Sequence, residues 1–338
     1  MRVGPQTVPR DRFDYGAAVK RSWQEQLLVN LVRLRYLDTP VFLDVDQIVA
    51  QYTVNGTVGL STGSLGAEGQ GLPVAGASGA WTESPVITFT PMSGERFTQS
   101  LLRPVSPANL LALAQIGWPV DAVFGVAVRA VNGLYAASRT AAFRRAEDPD
   151  FGRAVGLMRK LQTTGGFGYR VDVKESGAAT LLTLRAPGAD AATDADSKDL
   201  RALLHLNPDA QEFTLSSGAV PQNATDIALL TRSALEIFAE ASAGVQVPAT
   251  DLDEGRATRM DAPGASASAP AFAIQVKAST ERPSDRDAFA AVRYRTHWFW
   301  VDDRDLASKR SLGFLMLLFT LIESDSSTPP PVLAIGKP

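Results

Sequence analysis

Between residues 11 and 36 apolar side chains recur at intervals of four and three: Tyr15, Val19, Trp23, Leu27, Leu31 and Leu34. That spacing draws one stripe on a helical period and predicts an amphipathic helix, with Lys20, Arg21, Gln24, Glu25 and Arg33 mostly off the stripe. Asp38-Thr39-Pro40 ends it, because the residue before a proline is pushed out of the helical region. The period then changes to two. Val41, Leu43 and Val45, followed by Ile48, Ala50, Tyr52 and Val54, predict a strand over 41–54 whose phase slips by one near Asp46-Gln47, as at a bulge or a short turn.

Residues 55–80 lack any period. Eight glycines fall between Gly56 and Gly79, with Ser, Thr and Ala in most of the gaps. So little apolar area offsets poorly the entropy of ordering, which predicts a flexible loop over 56–80. Pro85–Pro91 reads as a short strand running into helix at 93–97. Ser106-Pro107 opens a helical pair over 106–132, turned at Trp118-Pro119. Asp148-Pro149 opens a helix to about Gln162, stopped by Thr163-Thr-Gly-Gly166. A hairpin follows, 168–174 and 180–185 joined by Glu-Ser-Gly-Ala. An alanine–aspartate patch at 188–196 leads into a helix from Ser197 to Leu206. Then come a strand over 211–215 and an amphipathic helix over 226–243, faced by Ile227, Leu230, Ala234, Ile237 and Phe238. A second flexible loop is expected over 244–271. Beyond it lie strands over 272–278 and 290–301, a helix from Asp303 to about Glu323 and a strand over 332–335.

Helices and strands interleave without regular βα alternation, so the expected class is α+β: a mixed or antiparallel sheet packed by several helices. One compact unit over 1–338 is expected, with an N-terminal tether at 1–10; a boundary near residue 145 is the alternative. The composition fits an ordered globular chain of 338 residues with 45% apolar residues. With 33 basic and 36 acidic residues, the net charge of −3 gives no basic excess for a nucleic-acid surface. The 26 arginines against 7 lysines are interspersed with carboxylates and reflect a GC-rich coding bias. The longest apolar run, Leu312–Ile322, is about half the ~20 residues that a membrane-spanning helix needs.

Cysteine is absent, which excludes disulfides, thiolate nucleophiles and Cys-zinc sites. The remaining motifs favour structural duties. Gly59-Leu-Ser61-Thr-Gly63 matches the nucleophile-elbow pattern but lacks the strand before and helix after the serine. Gly165-Gly166-Phe-Gly168 and Gly66-Ala-Glu-Gly69-Gln-Gly71 complete no phosphate-binding fingerprint. Asp190, Asp194, Asp196 and Asp199 lack the glycine and terminal glutamate of a calcium loop, and Asp196 or Ser197 suits a helix N-cap. His205 sits at a helix end, and spacing gives His297 no partner. Strand alternation puts Tyr294, Thr296, Trp298 and Trp300 on one face, expected to be core. Asp302, Asp303 and Asp305 suit capping of the last helix; with Asp44 and Asp46 they are also the candidate acid–base carboxylates. No cofactor and no metal site are expected.

The runs Phe13-Asp-Tyr15-Gly-Ala-Ala-Val-Lys-Arg-Ser-Trp23 to Pro40-Val-Phe42-Leu, Val86-Ile-Thr-Phe-Thr-Pro-Met-Ser-Gly-Glu95, Ile116-Gly-Trp118-Pro-Val and Trp298-Phe-Trp300-Val-Asp302-Asp303 together resemble an uncharacterised family of Gram-negative bacterial lipoproteins. The family has no established activity, so no catalytic residue carries over. The resemblance implies the periplasmic side of the cell envelope, with a lipid anchor in the outer membrane; a cytoplasmic protein is the alternative. The family's lipid-bearing cysteine is missing here, so the expectation is a gene encoding about 15–30 further residues upstream, ending in that cysteine. The function expected is a non-enzymatic envelope module that binds a protein or glycan partner. The alternative is a carboxylate-dependent hydrolase of an envelope substrate, using Asp302, Asp303 and Asp44.

Overall fold

The computed structural model describes residues 8–49, 52–62, 73–83, 86–92, 94–140, 144–174, 177–184, 191–259, 272 and 274–326. The chain has an α+β fold and divides into two compact units: Val41–Met92, and the chain on either side of it. Residue 145 lies inside the larger unit.

In the smaller unit, β1 (Leu43–Val49) pairs antiparallel with β4 (Val86–Pro91). Their register slips between Val45, opposite Phe89, and Gln47, opposite Thr88, where the sequence pattern changes phase. The glycine-rich stretch differs from the loop expected over 56–80. Its described parts form an antiparallel ladder between β2 (Tyr52–Thr62) and β3 (Pro73–Glu83), with Gly56 opposite Gly79 and Gly59 opposite Gly76. A ladder pairs backbone N–H and C=O groups whatever the side chains, and counting apolar area alone overlooks that contribution. Residues 63–72 lie outside the described set.

The larger unit opens with α1 (Val8–Arg35), close to the predicted helix. Its buried residues are Gln24, Leu27, Leu28, Asn30, Leu31, Val32 and Arg35, with Tyr36 just beyond. A short helix, α2 (Gly94–Phe97), runs into one wide π turn at Thr98–Leu102. The helical pair is α3 (Pro107–Gln115) and α4 (Val120–Ala127), but the segment predicted helical to 132 ends in a strand, β5 (Val128–Val131). Two short pairs follow: β6 (Leu134–Tyr135) on β5, and β7 (Ser138–Arg139) with β8 (Arg144–Arg145). Next is α5 (Pro149–Thr164), stopped as predicted at Gly165, whose left-handed φ of 71° suits a residue without a Cβ. The hairpin of β9 (Phe167–Lys174) and β10 (Gly177–Leu184) lies where predicted.

Three expectations change beyond this point. The helix α6 (Ala191–Leu203) starts before Ser197, so Asp194, Asp196 and Asp199 lie within it, and Ser197 is buried with its hydroxyl against Arg201. The predicted helix over 226–243 is a strand followed by a helix. β12 (Asp226–Thr231) is buried along its length between β5 and β11 (Glu212–Ser217), in a mixed six-stranded sheet ordered β6-β5-β12-β11-β10-β9. Then α7 (Ala234–Ala241) begins on a capping box in which Ser233 and Glu236 satisfy each other's backbone N–H. Within the stretch 244–271 the described residues include the end of a 3-10 turn at Ser242–Gly244 and the helix α8 (Ala249–Asp253); residues 260–271 lie outside the described set.

Finally, the strand predicted over 290–301 is two. β14 (Ala288–Tyr294) and β15 (His297–Asp302) are joined by a turn at Arg295-Thr296, and β13 (Lys277–Ser279) flanks β15 on its other side. That turn reverses the expected core face. Tyr294 pairs with His297, which places it on the side of Phe299 and Val301, both fully buried, while Trp298 and Trp300 face outward half-exposed. Last is α9 (Leu306–Ser326); the strand predicted over 332–335 lies outside the described residues. Among the described residues no helix is long and apolar enough to cross a membrane.

Candidate functional site

The larger unit carries a cleft of about 1430 Å3 between the start of α5, α7 with the turn after it, the β7–β8 pair and the end of β15. Its floor is apolar: Val126, Phe151, Val155, Ile237, Ile274 and Val276. Its cations are Arg139, Arg144 and Arg145 on the small β7–β8 pair, Arg232, Lys277 and Arg304.

Arg232 forms the back wall. It follows the last residue of the buried strand β12, so its side chain enters the interior, and it is 4% exposed. Its guanidinium donates to the carbonyls of Gly125 (3.0 Å), Val126 (2.8 Å) and Ala137 (2.7 Å). Glu240, 4.0 Å away, balances the charge, and also accepts from the Ser138 hydroxyl (2.6 Å) and the Arg139 N–H (2.8 Å). Burial lowers the Arg232 pKa, with Glu240 opposing. This set of bonds ties α4, the approach to β7 and α7 together; its task is to hold the cleft's shape.

The candidate carboxylates are occupied. Asp302 accepts from the Lys277 ammonium (2.7 Å) and the Arg304 N–H (2.9 Å), and these bonds hold its pKa below the usual carboxylate range. Asp303 pairs with Lys309 at 2.6 Å. Asp305 is the N-cap of α9, taking both the hydroxyl (2.6 Å) and the N–H (3.0 Å) of Ser308, which lower its pKa as well. A general acid needs the opposite shift, toward the working pH. Asp44 belongs to the smaller unit, on β1 opposite Thr90, and Asp46 sits at the slip in that strand's register.

The other nominated residues have structural places. His205 is exposed just past α6 in a left-handed conformation (φ 55°) that ends the helix. His297 opens β15 with its ring nitrogen 3.1 Å from the Thr296 hydroxyl. Neither lines the cleft. Ser61 of the Gly59–Gly63 motif lies in β2 opposite Val74, without the strand–turn–helix setting of a nucleophile elbow. Gly66, Gly69, Gly71 and Asp190 fall outside the described residues. Asp196 pairs with Lys160 at 3.2 Å, and among the described residues no three His, Asp or Glu side chains gather as a metal site.

Sequence reasoning missed Arg35 and Arg232, and the Tyr36 hydroxyl bound to Asp251 at 2.5 Å. The phase of α1 carried a signal for Arg35, which stands four residues after Leu31 on the buried face. Burial and the Asp251 hydrogen bond push the Tyr36 pKa well up, so the phenol stays protonated. Compared with protein-family models, curated proteins and solved structures, the chain matches none.

Proposed function

We propose that this chain is a non-enzymatic binding module of the bacterial cell envelope, whose larger unit seats an acidic segment of a protein or glycan partner in the cleft. The observation that carries the reading is the division of charge at the cleft. The carboxylates Asp302, Asp305 and Glu240 are engaged by Lys277, Ser308 and the Ser138–Arg139 segment, Asp121 lies 3.6 Å from Arg159 and Glu147 is exposed, while Arg139, Arg144 and Arg145 line the cleft from the β7–β8 pair over an apolar floor. An apolar cleft with convergent cations suits a ligand of mixed apolar and anionic character. The envelope location, with a lipid anchor at the outer membrane, rests on the resemblance of the sequence runs to envelope lipoproteins. Fractionation of cells expressing the natural gene tests it: recovery with outer membranes supports it, and a wholly cytoplasmic product overturns it.

Calorimetric titration with an oligogalacturonate and with an oligoglutamate peptide tests the cleft. Binding of at least one is expected, weakened by about tenfold or more in Arg139→Ala/Arg145→Ala through lost charge-assisted contacts. No binding of either probe, or equal binding by the variant, overturns the cleft reading. Mass spectrometry of the titrated probes checks the hydrolase alternative, and both are expected to be recovered intact.

A further inference from the structure

We propose that Trp298 and Trp300, with Arg293 beside them, form a stacking platform for an acidic oligosaccharide on the outward face of the three-stranded sheet of the larger unit. The sheet is ordered β13-β15-β14, and its inward face carries the buried Phe299 and Val301. Residues two apart on a strand share a face, so the two indoles stand side by side on the opposite one, their Cα atoms roughly 7 Å apart along β15. Both are half-exposed. Arg293 lies opposite Trp298 on β14, and Ala291, with only a methyl group, lies opposite Trp300. Among the described residues neither indole N–H has a hydrogen-bond partner, and neither ring meets another aromatic ring. Arg282, 5.4 Å from the centre of the Trp298 ring, is itself held by Asp285 at 3.0 Å. It steadies that ring by one face, which lowers the cost of ordering it around a ligand.

The charges around the rings select an acidic ligand. Lys277, opposite Trp300 on β13, is neutralised by Asp302 at 2.7 Å, and Arg282 by Asp285. Glu281 lies exposed in the loop beyond β13. Arg293 is exposed and makes no ion pair among the described residues, which leaves its guanidinium to a ligand's carboxylate. The setting of the rings narrows the class. Peptides are taken up at a free sheet edge or in a groove, and β15 is the middle strand, its backbone bonded to β13 and β14. A single-stranded nucleic acid also stacks on aromatic rings, but it needs a cationic track for its phosphates, which this face of a chain of net charge −3 lacks. A pyranose ring presents a flat face of C–H groups with hydroxyls around its rim. Those hydrogens carry partial positive charge and settle on the negative face of an indole, while the hydroxyl oxygens accept from the indole N–H groups. A uronic-acid carboxylate then pairs with the Arg293 guanidinium. Neither tryptophan nor Arg293 lines the cleft, so the platform goes beyond the cleft reading and stands or falls without it.

The test is calorimetric titration of the full chain carrying Arg139→Ala/Arg145→Ala, which takes two of the cleft's cations out of play. Oligogalacturonate should still bind this chain and change its tryptophan emission. Adding Trp298→Ala should weaken binding by about tenfold or more, whereas Trp298→Tyr should stay within about threefold, since a phenol ring still stacks. Arg293→Ala should weaken the oligogalacturonate by about tenfold. The fully methyl-esterified oligomer, which lacks the charge, should bind more weakly and be indifferent to Arg293→Ala. Absence of oligogalacturonate binding in the Arg139→Ala/Arg145→Ala chain overturns the platform and leaves the cleft reading standing. Unchanged binding in Trp298→Ala or in Arg293→Ala also overturns it, and Arg293→Ala decides the matter alone if Trp298→Ala fails to fold. Tighter binding of an oligothymidylate than of the oligogalacturonate would assign the rings to a nucleic acid and overturn it too. Binding that ignores Arg139→Ala/Arg145→Ala but falls with Trp298→Ala keeps the platform and sinks the cleft reading.

Discussion

At the scale of single residues, the side chains with most to lose are those whose surroundings are complete. Phe299 is fully buried, with Tyr36 and Tyr294 at 6.2 and 6.4 Å between ring centroids. Phe299→Ala should cost about 3–5 kcal/mol through lost transfer energy and an unfilled cavity. Trp298 is the larger side chain but half-exposed, with Arg282 over its ring at 5.4 Å. Trp298→Ala should cost about 1–2 kcal/mol, from partial burial and one cation–π contact. Denaturant titration of both variants checks the order; the reverse order would place the tryptophans in the core. Asp305 adds a pH dependence. Its folded pKa lies below the ordinary 3.8, so its contribution is present above that value and lost as pH falls through the folded one. Asp305→Ala should cost about 1 kcal/mol at pH 7 and nothing once the pH is below the folded pKa, because the wild-type cap is then protonated too. Stability curves from pH 7 down to acid unfolding test this.

At the scale of elements, local signals located ends well and identities less well. Pro149 and Gly165 bracket α5 as the sequence predicts, since each acts on its own backbone dihedral. The run Ile227-Ala-Leu-Leu230 reads as helix by its spacing and is a strand. A strand buried on both faces has a continuous apolar run, which periodicity alone cannot separate from a buried helix. Another junction is set by contact between distant segments. The Gly244 carbonyl accepts from the Val276 N–H at 3.0 Å, and the Gln246 N–H donates to the Val276 carbonyl at 2.9 Å. A Cβ at Gly244 would lie 1.8 Å from the Ile274 carbonyl oxygen, backbone against backbone. Gly244→Ala should destabilise by about 3 kcal/mol or more, since neither chain can yield without breaking the bridge. A midpoint equal to wild type in thermal unfolding would refute this close approach.

At the scale of the whole molecule, the division into units decides what depends on what. Val41–Met92 makes its own pairings, β1 with β4 and β2 with β3, and the six-stranded and three-stranded sheets are complete without it. Replacing Val41–Met92 by a flexible linker of about ten glycine and serine residues should therefore leave the larger unit folded, with a thermal midpoint within about 4 °C, the equivalent of ~1–2 kcal/mol. Circular dichroism and thermal unfolding of that variant check it. Loss of the cooperative transition would show that the larger unit needs the smaller one to fold.

By itself the sequence determined features whose cause lies within a few residues. The span of α1, the proline and glycine helix ends, the β9–β10 hairpin, the change of phase at Asp46-Gln47 and the capping role of Asp305 all belong here. Propensity, capping and steric restriction act over one or two turns of chain, and so leave a local trace. Tertiary structure alone decided which runs are buried and by what. β12 is central because β5, about a hundred residues earlier in the chain, pairs with one of its edges. The tryptophans face outward because one turn at Arg295-Thr296 reset the alternation. Arg35 and Arg144 reach consecutive carbonyls, those of Thr258 and Arg259, from elements far apart in sequence. Burial is a property of the assembled neighbours, and no window along the chain contains them.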